Sequence, residues 1–240
     1  MKLYVYCLAE NIDTLATSLA PVSGISGAAI ELMKIDDFSV LVSEFQGDAV
    51  PVNRDNALAH AAAVGSLLNE TTPLPVRFGT VVGEQHLRSY LATHREALKA
   101  KLDQVRGCVE MSVKIIWNTD LDEQPAPDDD VGPGAAFLRA KRREILGGER
   151  RAEQARQVAS WLHEQVRPLV RQDEVSLCPT ERLIVAAAHL VAREEVAPYR
   201  ERLTESRKMR PELHFLVSGP WAPYSFSNIE LEFKTRFGVS

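Results

Sequence analysis

The sequence predicts an α+β protein of two domains, the second a ferredoxin-like βαββαβ unit with a long helix, the first a related βαββαα unit. Three observations carry this prediction. Runs with the two-residue alternation of strands interleave with runs at helical spacing along most of the chain. From Gly107 onward those runs follow the order strand, helix, strand, strand, helix, strand, which is the ferredoxin-like order. With 240 residues, 45% hydrophobic and 25% charged, the chain is long enough to bury a core without disulfide or metal staples.

Lys2 to Leu8 is rich in β-branched and aromatic residues and predicts a buried strand. Asn11 or Asp13 can cap a short helix carrying Leu15 and Leu19, which Pro21 and Gly24 end. Gly27 to Ile35 and Phe38 to Phe45, separated by Asp36-Asp37, predict a hairpin with a tight acidic turn. Asn53 or Asp55 caps a helix through Leu68, with Leu58, Ala61, Ala62, Gly65 and Leu68 as its expected buried stripe. Gly83 to Leu102 predicts one further helix, with Leu87, Tyr90, Leu91, His94, Leu98 and Leu102 at helical spacing, and Gly107 stops it.

Val109 to Trp117 alternates Val109, Met111, Val113, Ile115 and Trp117 against Glu110, Ser112, Lys114 and Ile116, as a strand with one apolar face does. Asn118 to Pro133 is proline-rich and acidic and predicts a solvated loop. A long helix is expected from Gly134 to Arg167, ended by Pro168, on the stripe Ala152, Ala155, Ala159, Leu162, Val166 and Leu169. Glu174 to Leu177 and Arg182 to Ala192 predict strands, although Ala186 to Ala188 also suits a helix. A helix from Glu194 to Lys208 and a strand from Leu213 to Ser218 complete the unit, and Pro220 is expected to stop the sheet there. The expected domains are 1–106, 107–219 with an acidic loop at 118–133, and a tail at 220–240. No internal repeat is visible at the residue level.

Composition removes several function classes. A formal charge of −5 argues against a polyanion as the main partner. The basic residues Arg139, Lys141, Arg142, Arg143, Arg150 and Arg151 are interleaved with Glu144 and Glu149, as on a solvated helix face. The aromatic signature of RNA-binding sheets is missing too, so no nucleic acid is expected. Cys7, Cys108 and Cys178 form no CxxC pair and fit buried free thiols of a reducing cytosol. The longest late apolar run, Leu183 to Ala192, is too short to span a bilayer, so a cytoplasmic protein is expected, with no membrane partner. The six histidines show no HExxH or other metal spacing, and no GxSxG, Walker loop or GxGxxG occurs. No catalytic, cofactor or metal residue is therefore assigned.

Two loop segments stand out. In LPVRFGT, Leu74 to Thr80, Pro75 fixes an extended lead-in, Phe78 anchors the loop and Gly79 allows a positive φ. Arg77 needs a partner for its charge, either a carboxylate or helix-end carbonyls. In GPWAPYSF, Gly219 to Phe226, Pro220 and Pro223 stiffen a ribbon carrying Trp221, Tyr224 and Phe226. Those rings either cover their own domain or meet a partner. The expectation is Trp221 buried at home, with Ser227 to Ser240 left to a partner.

Both segments resemble those of the GvpL/GvpF gas vesicle proteins. That family carries a similar Pro-Arg-Phe-Gly pattern after a helix with a histidine, here His60, and typically GPWPPYSF where this chain has Ala222. The strand EMSVKIIW, Glu110 to Trp117, is a weaker likeness. The resemblance implies a non-enzymatic accessory or minor structural protein of the gas vesicle, of the F-type by its short length. Its implied partner is the small, very apolar major shell protein, whose nucleation and assembly it supports, with other gas vesicle accessory proteins second. The rival reading, a small-molecule-binding or catalytic α+β domain, requires a pocket with convergent polar groups, and no motif in the chain supplies one.

Overall fold

The computed structural model describes residues 1–10, 22–47, 49–117, 133–178, 180, 183–227 and 229, with the helical residues 133–147 described by backbone alone. The expected helix at Leu15 and Leu19 and the acidic loop after Trp117 lie outside these residues. The chain divides into two compact units, Met1–Glu110 with Trp221–Ser240, and Met111–Pro220.

In the first unit, β1 (Lys2–Glu10) runs through the middle of a sheet ordered β2-β3-β1-β4, with β5 also on β1. Its residues Leu3 to Ala9 are all buried, because neighbours cover both faces. The hairpin of β2 (Ile30–Ile35) and β3 (Phe38–Glu44) turns at Asp36-Asp37 as expected. Asp36 takes φ 51°, a left-handed conformation that aspartate tolerates better than most residues. Gly27 to Ala29 are not strand, since Ile25–Gly27 form a 3-10 turn whose Ile25 N–H donates to the Tyr6 hydroxyl at 2.8 Å. A Cβ on Gly24 would stand 2.2 Å from that hydroxyl, so only glycine fits there.

Helix α1 (Arg54–Leu68) is capped by Asn53, whose side chain accepts from the Asn56 N–H at 2.9 Å. The face it buries is not the expected one. Leu58, Ala61 and Ala62 are exposed, and the inward stripe is Asn56, His60, Ala63, Val64, Leu67 and Leu68. Alanine is so frequent here that hydrophobicity cannot choose the face, and the two polar members escaped notice because their partners lie elsewhere in the chain. After α1 comes β4 (Leu74–Pro75), a strand made by the LPVRFGT segment itself and not expected. Next is β5 (Val81–Gly83), also paired with β1. The expected single helix to Leu102 is two helices, α2 (Glu84–Thr93) and α3 (Arg95–Val105), broken at His94, which is exposed. Leu87, Leu91, Leu98 and Leu102 are buried across the break, so the apolar spacing survives.

The second unit has the predicted order: β6 (Cys108–Trp117), α4 (Pro133–Val166), β7 (Gln172–Leu177), β8 (Leu183–Ala192), α5 (Val196–Met209) and β9 (Leu213–Trp221). Its sheet is ordered β7-β8-β6-β9, the ferredoxin-like arrangement. The core joins the inward face of β6 (Met111, Val113, Ile115) to Val158, Leu162 and Val166 of α4, so of the expected stripe Ala155, Leu162 and Val166 are fully buried. Ala186 to Ala188 are strand, paired with β7. Pro198 falls in the first turn of α5, where a missing N–H costs nothing. β9 does not stop at Ser218 but continues through Pro220 to Trp221. Proline is tolerated because β9 is the last strand of its sheet.

The first unit repeats the same strand order, second, third, first, fourth. The two halves thus share an architecture that no residue-level repeat announces. Of the tail expected at 220–240, the described residues Trp221 to Ser227 belong with the first unit.

Candidate functional site

The two loop motifs meet at His60. β4 and β5 pair with the same edge of β1, Leu74 opposite Leu8 and Val81 opposite Tyr4. Between them Val76 N–H donates to the Tyr6 carbonyl at 2.9 Å and Val5 N–H to the Thr80 carbonyl at 3.0 Å. Leu74 to Gly83 is therefore one strand interrupted by a loop at Arg77-Phe78-Gly79. Gly79 closes the loop at φ 87°, a conformation costing any other residue about 1–2 kcal/mol.

That loop sets the Phe78 ring 5.7 Å from His60 and 6.4 Å from Tyr4, edge-on to both. Tyr6 and Tyr4 lie 5.7 and 5.8 Å from the same imidazole. The second motif supplies a further ring, Tyr224, at 6.4 Å. Edge-on and tilted contacts of this kind favour aromatic clusters beyond simple burial.

The polar atoms inside are wired. Gly79 N–H donates to the Tyr4 oxygen at 3.2 Å, and the Tyr4 hydroxyl is hydrogen-bonded to His60 Nδ1 at 2.8 Å. The other ring nitrogen, Nε2, is buried with no hydrogen-bond partner among the described residues. Burial lowers the His60 pKa to about 4, opposed in part by the nearby Val76 backbone. Burial raises the Tyr4 phenol to about 12. Cys7 is pushed up by burial as well, which makes it an inert thiol. The cluster is thus uncharged across the neutral pH range. It offers shape and apolar surface, and no activated nucleophile or base.

The GPWAPYSF segment is pinned by Glu110. Its carboxylate accepts from the Ser225 N–H at 2.7 Å and the Ser225 hydroxyl at 3.0 Å, at the start of α6 (Tyr224–Ser227). Burial raises the Glu110 pKa, and the two Ser225 hydrogen bonds partly counter that. Lys101 Nζ donates to the Ser227 carbonyl at 2.9 Å. Phe226, Ser227 and Ile229 are buried, so of the segment Ser227 to Ser240 expected to be left to a partner, Ser227 and Ile229 are not exposed. Trp221 was expected at home in the core, yet it is 51% exposed, and Tyr224 is 42% exposed. The reason is β9, whose last residue is Trp221 and whose outer residues face solvent. Burial nevertheless raises the Tyr224 phenol pKa, with Cys7, Tyr4 and Glu110 adding to the effect.

Of the residues singled out in the sequence, Pro75, Phe78, Gly79, Tyr224 and Phe226 gather in this region, whereas the exposed Arg77 side chain has no ion-pair partner among the described residues. Gly219 and Pro220 lie on β9, and Pro223 leads into α6, its carbonyl accepting from the Phe226 N–H. Sequence reasoning missed Tyr4, Tyr6 and Glu110 as members. The available signals were two tyrosines at alternate positions of a buried strand and a lone carboxylate in an apolar one.

Among the described residues no group of three or more His, Cys, Asp and Glu side chains is arranged to hold a metal, and no helix is long and apolar enough to cross a membrane.

Comparison with known proteins gives one answer. The chain is 25% identical to gas vesicle protein L2 of Halobacterium salinarum, over 93% of this chain and 90% of that one. It is 23% identical to gas vesicle protein F of Dolichospermum flosaquae, over 96% and 99%, and 26% identical to gas vesicle protein L of a Streptomyces species, over 95% and 94%. L-type and F-type relatives match at the same level, so the likeness establishes the family and not the type. The crystal structure of GvpF from Anabaena sp. PCC7120 superposes with a TM-score of 0.77 at 24% identity, covering 95% of this chain and 96% of that one. GvpF from Microcystis aeruginosa gives 0.71 at 20% identity, covering 95% and 99%; both share the fold. Residues 2–228 match the family described as gas vesicle synthesis protein GvpL/GvpF. With that match running through both motifs and the cluster they form, the chain belongs to the GvpL/GvpF family.

Proposed function

We propose that this protein is a non-enzymatic accessory of gas vesicle assembly that binds the apolar shell subunit and supports vesicle nucleation. One observation carries the reading. The aromatic cluster at His60 holds the Trp221 to Tyr224 segment in place while leaving both rings about half exposed. Half-exposed aromatic side chains on a fixed segment are the type of anchor that dominates protein interfaces, since little side-chain entropy is lost on docking. A small apolar subunit waiting to assemble aggregates unless such a surface covers it. A non-catalytic role is supported by the neutrality of the buried groups, His60, Tyr4 and Cys7, each held uncharged by burial.

The test is a binding titration of purified shell subunit against wild type and Trp221→Ala. Because Trp221 is half exposed, the variant should stay within about 1 kcal/mol of wild-type stability and bind the subunit at least about tenfold more weakly. Full-strength binding by a stably folded Trp221→Ala protein would remove the basis for the proposal.

A further inference from the structure

A second surface, wholly within the second unit, has no role in the reading above. α5 and the outer strand β9 enclose an open cavity of about 740 Å³ lined by Lys114, Arg200, Arg207 and His214, with no acidic side chain among the described residues of its wall. Arg207 Nη2 donates to the Phe215 carbonyl at 2.6 Å and Arg200 Nη2 to the Gly219 carbonyl at 2.8 Å. These bonds hold both guanidinium groups along the strand, and among the described residues the other donors of each fork have no hydrogen-bond partner. Neither arginine, nor Lys114, has a carboxylate partner among the described residues. Beside the cations, Leu216 is 49% exposed and Val217 is 39% exposed. By strand alternation Val217 directs its N–H and C=O to the same side as Phe215, and among the described residues β9 has a strand neighbour, β6, on one side only.

We infer that this groove docks an extended segment of a partner protein that alternates acidic and apolar residues. The segment adds to β9 at the Val217 backbone, rests its apolar side chains on the face that carries Leu216, and sets its carboxylates on the opposite face, the α5 side, against Arg200 and Arg207. Main-chain pairing with an outer strand supplies affinity and the flanking side chains supply selectivity, while fixed arginine forks suit carboxylates. A nucleic acid is the poorer occupant, because the chain carries a net −5 and, among the described residues, the groove offers no Trp, Tyr or exposed Phe ring on which a base could stack. The site is independent of Trp221 and of shell-subunit binding, so the two ideas stand or fall separately.

The experiment uses the full chain and a fluorescein-labelled octapeptide of alternating Glu and Val, read by fluorescence anisotropy, with a Lys-Val octapeptide as control. The Glu-Val peptide should bind and the Lys-Val peptide should not. Arg200→Ala should weaken binding about fivefold, and Leu216→Asp, which puts a negative charge where the valine side chains rest, about tenfold or more. Both positions are exposed, and melting checks that each variant is folded. Equal binding of the two peptides, absence of binding, displacement by an equal concentration of oligothymidylate, or wild-type affinity in both variants would each overturn the assignment.

Discussion

Lowering the pH from 7.5 to 5 should destabilise each unit through one buried histidine. His60 in the first unit and His189 in the second both have pKa values lowered to about 4, burial being the main cause in each. Each is bonded to a tyrosine that burial holds protonated, His60 to Tyr4 at 2.8 Å and His189 to Tyr199 at 2.6 Å. An unfolded histidine titrates near 6.5, so below that pH the unfolded chain binds protons that the folded chain refuses. Stability is therefore complete above about pH 6.5 and falls as the pH drops towards 4. At pH 5 the difference is worth about 2 kcal/mol for each histidine, and about 4 kcal/mol together. That is a large part of the 5–15 kcal/mol typical of a folded protein. Glu110 works the other way. Its raised pKa means the folded state takes up that proton first, adding stability as the pH falls. The exposed carboxylates Asp37, Glu153 and Glu212, whose pKa values are lowered by Lys99, Arg156 and Arg210 respectively, lose their contributions only below the ordinary carboxylate range. The assay is urea unfolding at half-unit steps from pH 7.5 to 4.5, for wild type, His60→Asn, and His60→Asn with His189→Asn. The single variant should lose about half the pH dependence and the double variant nearly all of it. Wild-type stability unchanged between pH 7 and 5, or the same slope in the double variant, would refute the reasoning.

The remaining predictions concern residues that hold the site. Gly79→Ala meets no steric obstacle but must adopt φ 87°, so it should lose about 1–2 kcal/mol in urea unfolding. Glu110→Ala leaves the Ser225 N–H without its acceptor and should cost about 1–3 kcal/mol, with faster proteolysis after Tyr224. On α1, Leu58→Glu changes an exposed position and should stay within about 0.5 kcal/mol of wild type. Leu67→Ala, on the buried stripe, should cost about 2–5 kcal/mol. Equal losses from those last two would mean the helix face is wrongly assigned.

Much of the fold was legible because its causes are local. The alternation from Val109 to Trp117, the acidic turn at Asp36-Asp37 and the Asn53 cap each depend on a few neighbouring residues, and each forms as read. The βαββαβ order of the second unit follows from such signals strung together. The misreadings share another character. The α1 face was misassigned because His60 and Asn56 look like surface residues until Tyr4 and the Pro51 carbonyl arrive to bond them. β4 was overlooked because two residues make no pattern, and its strand character comes from pairing with β1. Trp221 was expected in the core because a large aromatic ring favours burial, but it ends an outer strand.

The sequence by itself determined the α+β class, the order of elements in the second unit, and both motifs with the family resemblance they carry. Only the tertiary structure decided that those motifs meet on one histidine, that Glu110 is a buried clamp, and which aromatic rings face outward. The physical reason is range. Strand and helix periods and turn conformations are set by contacts within a few residues, whereas the Tyr4 to His60 and Glu110 to Ser225 bonds join positions 56 and 115 residues apart. A polar group is stable in the interior only when its distant partner is present.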